Sequence, residues 1–230
     1  MPVISFTTGE SFALNMVNST FASRFGVSQG AVFFVDMSAT YTLYWTVTNC
    51  TFSGNSASLK GGVAYITGSS GASQVNLQFT NVLSTTNSAA SNGGFLCVEL
   101  PASSTVNIHM TNFTCRGGDT NALLGYTHLS NSQFNLNITD SMFDSNTGQL
   151  IGINMAGENG GSFTVSLQNS QFTSSSATRG GVLAFSGGHQ MQLHLSATNN
   201  SFANNEAIQR GGVIYFLMET QNNITFDMSK

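Results

Sequence analysis

The chain has 230 residues, a formal net charge of −4 and charged side chains at only 7% of its positions. Its few Lys and Arg are scattered, which excludes the clustered cations that a nucleic-acid partner requires. Apolar residues make up 40% of the chain and 18 are Phe, enough for a packed core, whereas no run of ~18 apolar residues exists to form a membrane-spanning helix.

The first predicted strand is Val3-Ile4-Ser5-Phe6, with a turn at Thr7-Thr8-Gly9-Glu10. The opening stretch has neither a basic nor a long apolar segment, so no signal peptide is expected in it. From there the sequence repeats with a period of about 31 residues. Each period begins with a two-residue alternation, as in Leu43, Trp45, Val47, then Val75, Leu77, Phe79, then Val106, Ile108, Met110. Polar residues stand between them, which is the pattern of a half-buried strand. The strand ends at a column of Asn or Asp: Asn18, Asn49, Asn81, Asn112, Asp140, Asn169 and Asn199. Three positions on stand Phe21, Phe52, Ser84, Cys115, Phe143, Phe172 and Phe202, and three further on a sparser column of Asn55, Asn87, Asn146 and Asn205. A glycine pair follows, at Gly61-Gly62, Gly93-Gly94, Gly180-Gly181 and Gly211-Gly212, with Gly30-Ala31 as a variant. The coils around Asn121-Ala122 and Gly148-Gln149 lack the pair but keep the phase. A second, strongly apolar strand follows each corner, and residues 223–230 read as the first strand of an unfinished coil.

Three strands and three turns per period, with no helical segment, predict an all-β fold. It is a right-handed, single-stranded parallel β-helix of about seven coils, forming one domain over residues 1–230 with both ends uncapped. In this reading the Asn column faces inward at a bend, in the left-handed conformation that Asn tolerates, and stacked Asn18, Asn49, Asn81, Asn112, Asn169 and Asn199 form a buried amide ladder. The glycines allow a tight corner. Cys50, Cys97 and Cys115 are expected as buried small apolar residues, with no disulfide and no redox role.

The repeat resembles that of the polymorphic outer-membrane-protein family, marked by Gly-Gly-Ala-Ile and Phe-x-x-Asn. The matching residues are Phe52 to Asn55, Phe143 to Asn146 and Phe202 to Asn205, with Gly61-Gly62-Val63-Ala64 and Gly211-Gly212-Val213-Ile214. The resemblance implies a pectin-lyase-like β-helix displayed at the cell surface as an adhesin, without naming a ligand.

Polysaccharide-cleaving enzymes with such folds need paired carboxylates, or a base beside a bound cation, in one cleft. The ten acidic residues do not cluster. Asp36, Glu99 and His128 share a position late in the second strand, and the other occupants of that position read as a solvent face. No catalytic, metal or cofactor site is therefore expected. A Thr column at Thr48, Thr80, Thr111, Thr139 and Thr198 carries the minor alternative of ice binding, against a plain solvated surface. Six Asn-x-Ser/Thr sequons begin at Asn18, Asn49, Asn112, Asn137, Asn199 and Asn223. At the four in the Asn column a buried ladder and a glycan compete, so Asn137 and Asn223, on outward strand positions, are the better acceptors.

The strand after the glycine pair is apolar at both parities, and strands of that kind are covered on both faces. Val32, Val63, Phe95, Leu124, Ile151, Val182 and Val213 are therefore expected to form a lateral interface. Uncapped ends template further pairing, so either the chain is a stretch of a longer β-helix or copies stack end to end. The expected function is a non-enzymatic, extracellular or cell-surface structural or adhesive β-helix that self-associates, plausibly into a fibre. A polysaccharide-binding or polysaccharide-cleaving β-helix is the alternative. The expected partners are further copies of the chain, with glycans as a second candidate, and not nucleic acid.

Overall fold

A computed structural model describes residues 3–6, 11–37, 41–69, 71–128, 130–154, 159–218 and 221–229. The chain is an all-β parallel solenoid with a repeat of about 31 residues, and all its strand pairings are parallel. Seven bends, from Asn18 to Asn199, enclose six full turns. Within a turn the long alternating strand comes first, as in Ser11–Val17, Thr42–Thr48, Ser132–Thr139, His189–Thr198 and Asn223–Ser229. A three-residue strand on the Phe column follows, such as Thr51–Ser53 or Gln171–Thr173, and the strand after the glycine corner, such as Ala64–Gly68 or Leu183–Gly187, closes the turn. A short additional strand precedes the corner, at Ser56–Lys60, Ser176–Arg179 and Glu206–Arg210. Where the glycine pair is missing, no corner interrupts the chain. The short strand and its successor then fuse, giving Asp119–His128 and Thr147–Asn154. Among the described residues the strands form two 13-stranded sheets.

Three left-handed positions bend each turn that carries the glycine pair, and the first two of them recur in every turn. The first is the Asn column, with φ between 50° and 54°. The second lies two residues after the Phe column, at Ser23, Gly54, Thr86, Gly117, Ser145, Ser174 and Asn204. The third is the first glycine of the pair, with φ of 68° at Gly61 and 69° at Gly93. The second glycine serves a different purpose. A Cβ on Gly62 would stand 2.1 Å from the Gly94 carbonyl oxygen of the next turn, and one on Gly181 would stand 2.4 Å from that of Gly212. One glycine sets the turn and the other lets neighbouring turns touch.

The interior is a continuous apolar column. Phe21 stacks on Phe52 at 5.3 Å, and Phe143, Phe172 and Phe202 stack in series at 5.3 and 5.1 Å. Ser84 and Cys115 interrupt the Phe column, and there Phe95 and Phe113 fill the interior, edge-on to each other at 5.1 Å. The three cysteines are buried and unpaired, and burial pushes the Cys115 thiol up to about 12.

The first Asn column does not face inward as read from sequence. It forms a ladder, but an exposed one. A left-handed residue breaks the strand alternation, so that Asn49 follows the outward Thr48 to the surface and Cys50 turns inward. Each amide donates to the preceding turn: Asn49 Nδ2 to Asn18 Oδ1 at 3.1 Å, Asn81 to Asn49 at 2.9 Å, and Asn112 to Asn81 at 2.8 Å. The sparser column is the buried one, with Asn55, Asn87 and Asn146 at most 3% exposed. Asn87 Oδ1 accepts from the Asn55 backbone N–H at 2.9 Å and from Asn55 Nδ2 at 2.8 Å, while its own Nδ2 donates to the Phe52 carbonyl and Ser84 Oγ.

Asp140 interrupts the surface ladder. Its carboxylate accepts from Asn169 Nδ2 at 3.1 Å but carries no donor for Asn112. Asp140→Asn is expected to join the two segments and raise stability by ~0.5–1.5 kcal/mol, read as a higher denaturant midpoint. An unchanged or lower midpoint would refute the role given to the break.

Candidate functional site

The strand after the glycine corner presents its chemistry on its outer side, and the hydrogen-bond register shows which residues share a column. Phe33, Ala64, Leu96, Leu124, Ile151, Leu183 and Ile214 pair across the turns. This corrects the interface expected from sequence. Val32, Val63, Phe95, Leu124, Ile151 and Val182 are at most 3% exposed, and Val213 packs on the same core. The corner turns two successive side chains inward, so apolar residues at both parities fill the interior and leave no stripe outside. Leu124 and Ile151 also sit one column away from the alignment by eye, because the fused strands lack the corner residues.

The outward column is the next one: Phe34, Tyr65, Cys97, Gly125, Gly152, Ala184 and Tyr215. Two residues further along the strand stand Asp36, Thr67, Glu99, Thr127, Asn154, Ser186 and Leu217. Asp36 and Glu99 therefore share a column, two rung spacings of ~4.8 Å apart. His128 does not share it. Its backbone pairs with Leu100, Thr127 takes the expected place, and the His128 side chain lies outside the described residues. The three residues therefore do not form one column.

Glu99 is instead held as an acceptor by its neighbours. Lys60 Nζ lies 2.7 Å from one carboxylate oxygen and 2.8 Å from the other, and the Tyr65 hydroxyl donates at 2.6 Å. Lys60 also lies over the Tyr65 ring at 5.8 Å. Burial and the hydrogen bond to Glu99 raise the Tyr65 pKa, and burial with the Glu99 charge raises that of Cys97. A carboxylate tied to a cation and a phenol clamps adjacent turns together, and the upward shifts keep the Tyr65 hydroxyl and the Cys97 thiol protonated near neutral pH.

Beyond this clamp the outward column shrinks to Gly152 and Ala184, and the surface sinks into a trough of about 520 Å³. Asn92, Gln149 and Arg179 line one side, and Glu99, Thr127, Asn154 and Ser186 the other. Asn92 lies across Gly125, where a Cβ would fall 2.2 Å from its Oδ1. At the far end the Arg179 guanidinium lies over the Tyr215 ring at 5.4 Å, with Nε donating to Gln209 Oε1 at 3.1 Å. The Lys60–Glu99–Tyr65 clamp and the Arg179–Tyr215 pair went unnoticed in the sequence. The signal was the two strand-interior glycines, which become legible once the register is known.

On the long strands the Thr column holds in register, with Val17 and Gln168 completing it. An unforeseen second surface ladder lies nearby, with Asn107 Nδ2 donating to Asn76 at 2.9 Å and Asn135 Nδ2 to Asn107 at 2.8 Å. All six sequon Asn are exposed, so burial does not separate Asn137 and Asn223 from the others. What separates Asn49, Asn112 and Asn199 is that their amide nitrogens are committed to the ladder. Among the described residues no group of His, Cys, Asp and Glu could hold a metal ion. No family model, curated protein or solved structure matches this chain.

Proposed function

We propose that this chain is a non-enzymatic, extracellular structural or adhesive β-solenoid that associates with further copies of itself. The observation that carries the reading is the strand Asn223–Ser229. Its Ile224, Phe226 and Met228 continue the columns of Leu193, Leu195 and Ala197, which are buried. Yet they are 44%, 47% and 53% exposed. One more rung, whether a further turn of the same chain or a second copy, would cover them, at ~1.5–3 kcal/mol for each side chain fully buried. The resemblance of the repeat to polymorphic outer-membrane proteins supports surface display, and the low charge and six sequons suit an exported, glycosylated protein.

Electron microscopy and sedimentation of the purified chain test the reading. End-on dimers or rods are expected, and they should disappear in Phe226→Asp while the far-ultraviolet spectrum is unchanged. Monodisperse single particles of the unaltered chain would sink the proposal. The alternative of polysaccharide cleavage draws little from the register, which takes His128 out of the Asp36–Glu99 column, and Glu99 is engaged by Lys60 and Tyr65. Polysaccharide binding has one observation in its favour, the trough.

A further inference from the structure

We propose that the trough between Glu99 and Leu217 binds an extended, uncharged glycan lying along the solenoid axis. This deepens the binding alternative above and is independent of self-association. The trough crosses the strands: its wall advances from Glu99 through Thr127, Asn154 and Ser186 to Leu217, one rung at a time. Four rung steps of ~4.8 Å make a run of roughly 19 Å. Each rung therefore presents a fresh set of side chains at a spacing close to the length of one linked sugar ring.

The chemistry of the walls fits a chain of hydroxyl groups. Between the two ends the side chains are amides and hydroxyls, from Asn92, Gln149, Asn154, Thr127 and Ser186, which can both donate and accept. The charged groups stand at the ends: Glu99 is paired with Lys60, and Arg179 donates from Nε to Gln209 and lies over the Tyr215 ring. Tyr215, with Arg179 lying over its ring, closes one end. The floor carries glycine inside a strand, where a side chain is normally favoured and its absence admits close approach.

Other polymers fit less well. An extended peptide would bind a sheet by adding to a free edge, with a residue rise of ~3.3 Å, and this trough lies across a sheet face. Nucleic acid needs a row of unpaired cations, and of the cations lining the trough Lys60 is paired with Glu99, which leaves Arg179 alone.

The test uses Gly152→Val. Gly152 lines the trough within the strand Thr147–Asn154, and its φ is not among the positive values. A β-branched residue suits that backbone, so the variant should fill the trough while leaving the fold intact. Affinity electrophoresis would run the unaltered chain and the variant in native gels containing hydroxyethyl cellulose, mixed-linkage glucan, galactomannan or, for comparison, polygalacturonate. The expected result is retardation by at least one neutral polymer, weakened at least tenfold by Gly152→Val with an undiminished thermal midpoint. Asn154→Ala gives a second variant and should weaken retardation with the fold intact. No retardation by any neutral polymer, retardation by polygalacturonate alone, or full retention of binding in folded Gly152→Val would overturn the proposal. Electron microscopy of Gly152→Val separates this outcome from self-association, which that substitution should leave unchanged.

Discussion

Replacing Asn87 with alanine is expected to destabilise the solenoid by about 3–5 kcal/mol, since one buried amide serves two turns and each unsatisfied partner costs ~1–3 kcal/mol. Its oxygen receives the Asn55 backbone N–H and the Asn55 amide, and its nitrogen serves the Phe52 carbonyl and Ser84 Oγ. At 1% exposure, no water can replace these bonds without opening the core. Asn112→Gly, on the exposed ladder, keeps the left-handed backbone unstrained, removes a single link and should cost only ~0.5–1.5 kcal/mol. Chemical denaturation of the two variants beside the unaltered chain makes the comparison. Equal losses would mean that the two columns are energetically equivalent, contrary to the assignment of buried and exposed ladders.

Phe95→Ala is expected to cost about 3–5 kcal/mol, as for large core truncations that leave a cavity. Phe95 is fully buried and meets Phe52 at 5.6 Å, Phe79 at 5.4 Å and Phe113 at 5.1 Å, all edge-on. It fills the interior where the Phe column is interrupted by Ser84, so no neighbouring ring is placed to take over. In a solenoid each turn is stabilised by its two neighbours, and a defect at the centre weakens two interfaces. Phe202→Ala, in a partly exposed turn near one end, should cost clearly less. A thermal or denaturant series that ranked Phe202 above Phe95 would contradict the packing described.

The repeat, the parallel strands and the glycine corners were legible because each column places a distinctive residue at a fixed phase. The facing of those columns was less legible. Asn suits both a left-handed surface bend and a buried amide, and only the backbone path shows that Asn49 turns out and Asn55 turns in. The left-handed position at Ser23, Thr86, Ser145 and Ser174 left no trace, because serine and threonine are common everywhere in this chain. The trough was hidden for a related reason. It depends on register through the fused strands Asp119–His128 and Thr147–Asn154, where the missing glycine pairs remove the marker that aligns one turn with the next. Counting from the Asn column slips by one residue there. It placed His128 with Glu99, and it set Gly125 and Gly152 beside Ala64 and Leu183 instead of beneath Tyr65 and Tyr215.

The exposed Asn ladder has a direction. Every amide nitrogen points toward the preceding turn and every carbonyl oxygen toward the following one, from Asn18 to Asn112 and again from Asp140 to Asn199. The two ends of the stack are therefore chemically unlike, one offering N–H and the other oxygen. Two molecules meeting by a two-fold axis would set like groups against each other. Any axial contact that extends this row must be heterologous, head against tail, and such contacts propagate as open chains in place of closed dimers.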